Sequence, residues 1–388
     1  MKIEINLGHL RDALNAALVA LPGHNQCRSQ PIFRRVLLDA QEGVLTVTAR
    51  DLDIDIRVKA PAQVSEPGQA CVPARPLALM TRGVQEDVIL ETTENHALRL
   101  TSGSVEATLN GTDSLFFPPL PETEAPLRRF MLPSLANIKG VLAACVGREE
   151  IHPILSGIAC RLRDGTMELV GSDGYRMAVL RLPVEGLQAL DRTVVLPHKL
   201  LTACSKLKNT GVEAALGDKG LSLSFALADI TCLLHGTLLG GAYPDYTTSL
   251  MRAEGVRTTL HVERAALRRA ADMCGVFGGV GTLRMWTKGE KLRYKAAVED
   301  VGVVVGEIGA VVTGEQNRVA LQAKYLLEGL PWLRTDEIVL SLGEQNSPIA
   351  LRPVGGLDLT LMIMPYYIHR EEEDDGVAAL SGKSTERG

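Results

Sequence analysis

The sequence predicts an α+β chain made of three copies of one fold, each with two helices packed on antiparallel sheets. Three observations carry this. A strand–helix opening recurs at a spacing close to 130 residues. A second strand–helix landmark recurs at close to 125. A strand–turn–strand hairpin follows each second landmark.

The openings are "IEINLGHLRDALNAAL", "RRFMLPSLANIKGVLAAC" and "RTTLHVERAALRRAADMC". Each alternates apolar and polar residues, breaks on a polar residue, then shifts to helical periodicity. Leu10, Ile138 and Leu267 are equivalent, and Ala17, Cys145 and Cys274 share a later helical position, which reads as packing. The second landmarks are "CVPARPLALM", "VLPHKLLTAC" and "ALQAKYLLEG", aligning Val72, Leu196 and Leu321. The hairpins align Val88, Val212 and Ile338, with turns on Glu-Asn, Asp-Lys-Gly and Glu-Gln-Asn. A corner between strands also repeats, at Asp51, Asp173 and Glu299; in the middle copy alone it reads Ser172-Asp173-Gly174-Tyr175-Arg176.

These landmarks divide the chain into 1–125, 126–252 and 253–370. Linkers are expected at the proline-rich 116–129 and at 243–255. Residues 371–388 open on Glu371-Glu372-Glu373-Asp374-Asp375 and show no periodicity, so a disordered acidic tail is expected.

Among 388 residues the net charge is −5, and aromatics make up 4%. Neither marks a general nucleic-acid binder with base-stacking platforms. Lys2, Glu4 and Asn6 interrupt any leader-like run, and no apolar stretch is long enough to span a bilayer. A cytoplasmic protein without membrane association is expected. Seven cysteines without a C-x-x-C pair argue against a disulfide framework or zinc site. No metal or cofactor is expected.

Catalytic motifs fail on context. "GVAALSGKS" has Val377 where a phosphate loop needs glycine, and no strand precedes it. "GVFGGVG" follows a helix rather than a strand. A Cys160–His152 pair lacks an oxyanion-type motif. The chain is expected not to be an enzyme. Basic residues do cluster on the landmark helices and their ends: Arg11, Arg28, Lys139, Arg148, Arg264, Arg268 and Arg269 on the first set, Arg75, Arg82, Lys199, Lys206, Lys208, Lys324 and Arg334 on the second. A weakly acidic chain thus carries a basic helical surface.

Over about residues 1–367 the chain resembles the bacterial DNA polymerase III beta subunits, the sliding clamps. The matching stretches are "VPAR", "HPILSGIACRL", "LVGSDGYRMAV", "GAYPDYTTSL" and "MIMPYY", in order. The resemblance implies three clamp domains per chain and a head-to-tail homodimer that closes a ring around duplex DNA without reading its sequence. It implies phosphate contacts from Arg28, Arg75, Lys139, Arg148, Lys199 and Arg268. It also implies a partner-peptide pocket from Leu155, Ser172, Gly174, Tyr175, Arg176, Met177, Pro244, Met362, Ile363, Met364, Pro365 and Tyr366. The partners implied are the DNA polymerase III catalytic subunit, a clamp loader and other polymerases carrying a clamp-binding peptide. The other reading is a divergent clamp-fold paralogue that serves as an interaction hub or replisome antagonist without encircling DNA.

Overall fold

The strand Lys2–Ile5 buries Ile3 and Ile5 and runs into Asn6, whose side-chain oxygen accepts the N–H groups of Gly8 and His9 at 2.9 and 3.4 Å. That cap starts helix α1, Leu7–Ala17. Its buried face is Leu7, Leu10, Ala13, Leu14 and Ala17, the i, i+3, i+4, i+7 stripe of an amphipathic helix.

The computed structural model describes residues 1–388 apart from 23–29, 122–124, 133–141, 143, 146–152, 188–189, 208–210, 276–281, 299–300, 345 and 367–388. The expected middle opening helix therefore lies largely outside the described residues, as do Arg28, Lys139, Arg148, His152, Glu299 and the acidic tail. The chain forms two compact units: Met1–Gly171 with Leu182–Tyr243, and Ser172–Arg181 with Pro244–Gly388.

In the first unit, helices α2 (Ala74–Met80) and α3 (His198–Lys206) follow the second landmark of their copies. One antiparallel sheet runs in the order Gln63–Glu66, Lys2–Ile5, Val88–Thr92, Leu98–Ser102, Val105–Leu109. A larger sheet orders Arg128–Leu132, Val212–Leu216, Gly220–Leu227, Ile230–Thr237, Ile54–Pro61, Val44–Arg50, Arg35–Gln41 and Gly68–Pro73. Its central pairing, Ile230–Thr237 against Ile54–Pro61, carries the sheet from the middle copy into the first.

The second unit holds α4 (Thr247–Glu254), α5 (Arg264–Gly275) and α6 (Ala323–Gly329). Its strands run Arg176–Pro183, Asp358–Ile363, Ile349–Pro353, Glu337–Leu342, Thr258–Glu263, Gly302–Gly314, Lys291–Val298, Thr282–Thr287, Arg318–Gln322. The pairing of Arg176–Pro183 with Asp358–Ile363 carries a strand of the middle copy into the third.

The repeat is visible in the core. Leu10, Ala13, Leu14 and Ala17 of α1 match Leu267, Ala270, Ala271 and Cys274 of α5, and all eight are buried. So are Val72, Leu196 and Leu321, and Val88, Val212 and Ile338. Each large aliphatic side chain buried this way contributes about 1.5–3 kcal/mol. The described cysteines are buried too, and burial pushes the Cys160 thiol up to about 12, which removes it as a nucleophile at neutral pH.

One expectation is corrected. The linker read at 243–255 contains α4. Its first turn is organised by Asp245, whose carboxylate accepts the Thr247 N–H and hydroxyl at 2.9 and 2.6 Å. Those hydrogen bonds hold the Asp245 carboxyl below its ordinary range. Leu250 and Ala253 pin the helix into the core, so a short amphipathic helix was hidden among turn-forming residues.

Candidate functional site

The corner of the middle copy is an Asp-anchored turn. Asp173 Oδ1 accepts the N–H groups of Tyr175 and Arg176 at 3.0 and 2.9 Å, and the Asp173 N–H donates to the Arg176 carbonyl at 3.2 Å. The Ser172 hydroxyl accepts the Gly174 N–H and donates to the Arg176 carbonyl. Gly174 sits at φ +87°, where a side chain would be strained, and a Cβ there would meet nothing within 4 Å. The turn therefore lifts a bare Gly174 and an exposed Tyr175 above the sheet.

Arg176 is not a free rim cation. Its side chain is only 10% exposed. Nε donates to Asp173 Oδ2 at 3.0 Å, Nη1 donates to Glu328, and the guanidinium lies 4.9 Å from the centroid of the Tyr325 ring. Burial, with the Asp173 carboxylate adding to it, raises the Tyr325 pKa above its ordinary value. Glu328 and Tyr325 both belong to α6, so Arg176 ties the corner to the second helix of the third copy.

The strand pairing brings the other expected residues alongside. Arg176 is opposite Ile363 and Met177 opposite Met362, and the Met364 N–H donates to the Tyr175 carbonyl at 2.8 Å. The Tyr366 N–H donates to the Ala320 carbonyl, and its hydroxyl accepts from Gln322. The expected pocket residues thus divide by depth. Met177, Met362 and Ile363 are buried. Tyr175, Met364 and Tyr366, exposed at 66%, 39% and 45%, form an apolar rim, with Pro365 half-buried between the last two. Pro244 is exposed just before α4. Leu155 is a buried residue of a short 3-10 turn, Pro153–Ser156, in the first unit. Gln322, Tyr325 and Glu328 were not singled out from sequence. The signal was there: all three lie on the repeated landmark "ALQAKYLLEG", close to the last apolar strand.

The expected phosphate-contacting residues also separate. Arg75 on α2 and Arg268 on α5 are exposed, Arg268 with its Nε 3.7 Å from Asp272. Lys199 is otherwise engaged: its ammonium lies 3.0 Å from Asp51 Oδ2 and 2.6 Å from Asp53 Oδ2. Burial alone would lower its pKa, but hydrogen bonds and charge from Asp53 and Asp51 outweigh that and raise it. Within the chain its charge is thus matched by the two corner carboxylates. Arg11 is likewise spent, donating to the carbonyls of Thr81 and Val84. Among the described residues no cluster of His, Cys, Asp or Glu is arranged to hold a metal ion, and no helix is long and apolar enough to cross a membrane.

Fold and site define a protein built from repeated α+β copies, with an apolar rim at the corner of the middle copy. Three family models match in succession: the N-terminal domain of the DNA polymerase III beta subunit over residues 1–121, its central domain over 134–245 and its C-terminal domain over 255–367. The chain belongs to the DNA polymerase III beta subunit family. The beta sliding clamp of a Synechocystis strain is 26% identical, covering 87% of this chain and 92% of its own. The beta sliding clamp of Staphylococcus epidermidis is 24% identical over 94% of this chain and 99% of its own. The DNA polymerase sliding clamp of Bacillus subtilis superposes with a TM-score of 0.86 at 23% identity, over 95% of this chain and all of its own. A sliding clamp from Pseudomonas aeruginosa, solved bound to griselimycin, gives a TM-score of 0.83 at 20% identity, with the same coverage.

Proposed function

We propose that this DNA sliding clamp acts as a head-to-tail homodimer that encircles duplex DNA and holds a polymerase by an extended peptide. The observation that carries this is the way one copy joins the next. Ile54–Pro61 of the first copy pairs with Ile230–Thr237 of the second, and Arg176–Pro183 of the second pairs with Asp358–Ile363 of the third. The next pairing in the series needs the counterpart strand of copy three, Gly302–Gly314, and the counterpart strand of a first copy, Val105–Leu109. Val105–Leu109 is a sheet edge, and residues 302–309 pair along one side only among the described residues. Both expose valines, Val105 on one and Val303 and Val305 on the other. Open edges with apolar side chains are what a β-continuous interface between chains uses. Two different surfaces meeting make a heterologous contact, which closes into a ring when the rotation permits.

The same series reassigns Arg75. Lys199 meets the first copy's corner acid, Asp51, from the fourth residue of its landmark counted from Leu196; Arg75 holds the same place counted from Val72. The counterpart of Asp51 in copy three is Glu299. Arg75 therefore belongs at the subunit junction, facing the partner's copy of that corner. Phosphate contact falls to Arg268 and to Arg28, Lys139 and Arg148. The clamp needs no active site: its work is topological, and it offers the apolar rim of Tyr175, Met364 and Tyr366 to polymerase and loader peptides. No observation favours the hub that does not encircle DNA.

Loading on nicked circular DNA tests this. The clamp should co-migrate with the circle and leave when the circle is cut. Retention on the linear product would overturn the topological mechanism. In solution the mass should be near twice 41.8 kDa, and Val105→Lys with Val303→Lys should return it to one chain. Arg268→Ala should lower the log–log salt slope of binding by about 0.9.

A further inference from the structure

The first unit buries a carboxylate that neither the peptide rim nor DNA contact uses. Asp55, on Ile54–Pro61, is 3% exposed, and its Oδ1 has no hydrogen-bond partner among the described residues. His235, on Ile230–Thr237, stands directly opposite it. The two residues therefore face each other across the pairing that joins the first copy to the second. The imidazole is built into place. Its Nδ1 lies 3.0 Å from the Ser222 hydroxyl, and a Cβ on Gly220 would come within 2.2 Å of its Cε1, so Gly220 leaves the space that the ring occupies.

The repeat shows that the fold does not require this pair. Asp55 lies four residues after the corner acid Asp51, and Met177 lies four after Asp173. The Thr237 N–H donates to the Asp53 carbonyl at 2.9 Å, and the Met364 N–H to the Tyr175 carbonyl at 2.8 Å, which makes His235 and Met362 counterparts two residues earlier. Met177 and Met362 stand opposite each other and both are buried. One joint is thus closed by an apolar pair and the other, at the same two places, by an acid and a base. Burial raises the Asp55 pKa; the charges of His235, Arg57 and Arg50, in that order, pull it down without overcoming burial. The arginines do not cap Oδ1. Arg50 donates to the carbonyls of Asp51 and Pro119, and the Arg57 Nε is itself buried without an acceptor. On the other side of His235, Gly220–Leu227 carries no charged residue. Asp218 and Lys219 lie just before it, with Asp218 paired to Arg192. Lys199 of α3 is held by Asp51 and Asp53. By reciprocity, the buried Asp55 carboxylate favours the charged imidazole over the neutral one.

We propose that His235 and Asp55 make the joint between the first and second copies proton-sensitive: the protonated imidazole supplies the counter-charge of the buried carboxylate, and the strand pairing loosens when that proton leaves. The sign follows from the direction of the Asp55 shift. A carboxyl whose pKa is raised by folding opposes folding once it is ionised. The joint is therefore weakest where Asp55 is charged and His235 neutral, above the ordinary histidine range of about 6.5. The joint lies within one chain, so the proposal stands whether or not a ring closes.

Hydrogen exchange on Ile54–Pro61 and Ile230–Thr237, corrected for the intrinsic rate at each pH, reads the joint in the full chain. Protection should fall about tenfold between about pH 6 and about pH 8.5, the effect of a one-unit difference in proton affinity. Arg176–Pro183 and Asp358–Ile363, the strands of the second joint, should show no such fall. His235→Gln should remove it. So should Asp55→Met with His235→Met, which copies the second joint and is the variant expected to keep the core closed. In Asp55→Asn the ring titration of His235, followed by NMR at Cε1, should shift towards acid by about tenfold in proton affinity. His9, 3.2 Å from Asp229 in the same unit, is present in every variant and cancels from the comparison. A flat profile in the unaltered chain would overturn the proposal. So would a fall that survives His235→Gln, which would assign the proton to another group, or a His235 titration unmoved by Asp55→Asn.

Discussion

Asp51 Oδ1 accepts the N–H groups of Asp53 and Ile54 at 2.8 and 2.9 Å; Asp173 Oδ1 accepts those of Tyr175 and Arg176 at 3.0 and 2.9 Å. The two corners are one turn, 122 residues apart, and each is tied to the second helix of the following copy. The sense of the tie is reversed. In the first junction the corner supplies the carboxylates and α3 supplies Lys199. In the second the corner supplies Arg176 and α6 supplies Glu328. The reversal decides what each corner can do. Asp51 and Asp53 both hold Lys199, so the first corner is committed to the junction. Asp173 and Arg176 satisfy each other as well as α6, which leaves Gly174 and Tyr175 facing outward. The two turns share one hydrogen-bonding pattern and differ in which residues that pattern leaves facing outward.

The largest effect that would test this difference is on stability. Asp51 is 4% exposed, and its side chain serves two backbone N–H groups and a half-buried ammonium. Asp51→Ala should destabilise the first unit by about 3 kcal/mol or more, because it leaves polar partners buried and unmatched. Asp173→Ala should cost less, since Arg176 keeps Glu328 and Tyr325. Hydrogen exchange resolved by unit reads both losses, and equal costs would show that the two ties are interchangeable.

The next effect is on binding and belongs to the second corner alone. Tyr175→Ala with Met364→Ala removes two exposed anchors. It should leave stability within about 0.5 kcal/mol, as surface changes usually do. An extended polymerase peptide should lose roughly a hundredfold in affinity, about 2.7 kcal/mol. Leu52→Ala, the exposed change at the first corner, should alter neither. Titrating a labelled peptide against the three proteins separates these outcomes.

Arg176→Lys should have a smaller effect, on both properties at once. A lysine can keep one ion pair but not the fork that meets Asp173 and Glu328 together, nor the planar stack on Tyr325. About 1 kcal/mol of local stability and a few-fold in peptide affinity should go together. A loss of affinity at full stability would mean that Arg176 touches the peptide itself.

The repeat was legible in the sequence because buried positions such as Val72, Leu196 and Leu321 must recur wherever the same core is built. The rim was legible only in part. In "LMIMPYY" the residues Met362, Ile363 and Met364 look alike, yet strand pairing buries the first two and exposes the third. A strand covered on both faces shows no alternation to read. The ties were not legible at all. Lys199 with Asp51 and Arg176 with Glu328 join residues about 150 positions apart, and no local pattern marks such pairs. Lys199 therefore read as one more cation on a basic helix. Arg75 shares the landmark position of Lys199 and is exposed within one chain, so the sequence pattern alone does not separate the two.

The smallest effect is a response to alkali, and it asks whether the first tie contributes through charge. Asp53 and Asp51 hold the Lys199 pKa above its ordinary 10.5. A folded-state pKa above the unfolded one means the folded chain keeps its proton longer. The resulting stability is complete below pH 10.5 and is lost as pH rises through the folded value. Urea midpoints for the first unit should therefore fall more steeply above pH 10.5 in the native chain than in Lys199→Met, which has no ammonium to lose. Tyr325 shifts in the same direction, so the second unit also weakens in alkali, but that loss should be identical in both proteins. If the native and Lys199→Met curves run parallel above pH 10.5, the ion pair contributes packing rather than charge. The comparison between the corners would then rest on geometry alone.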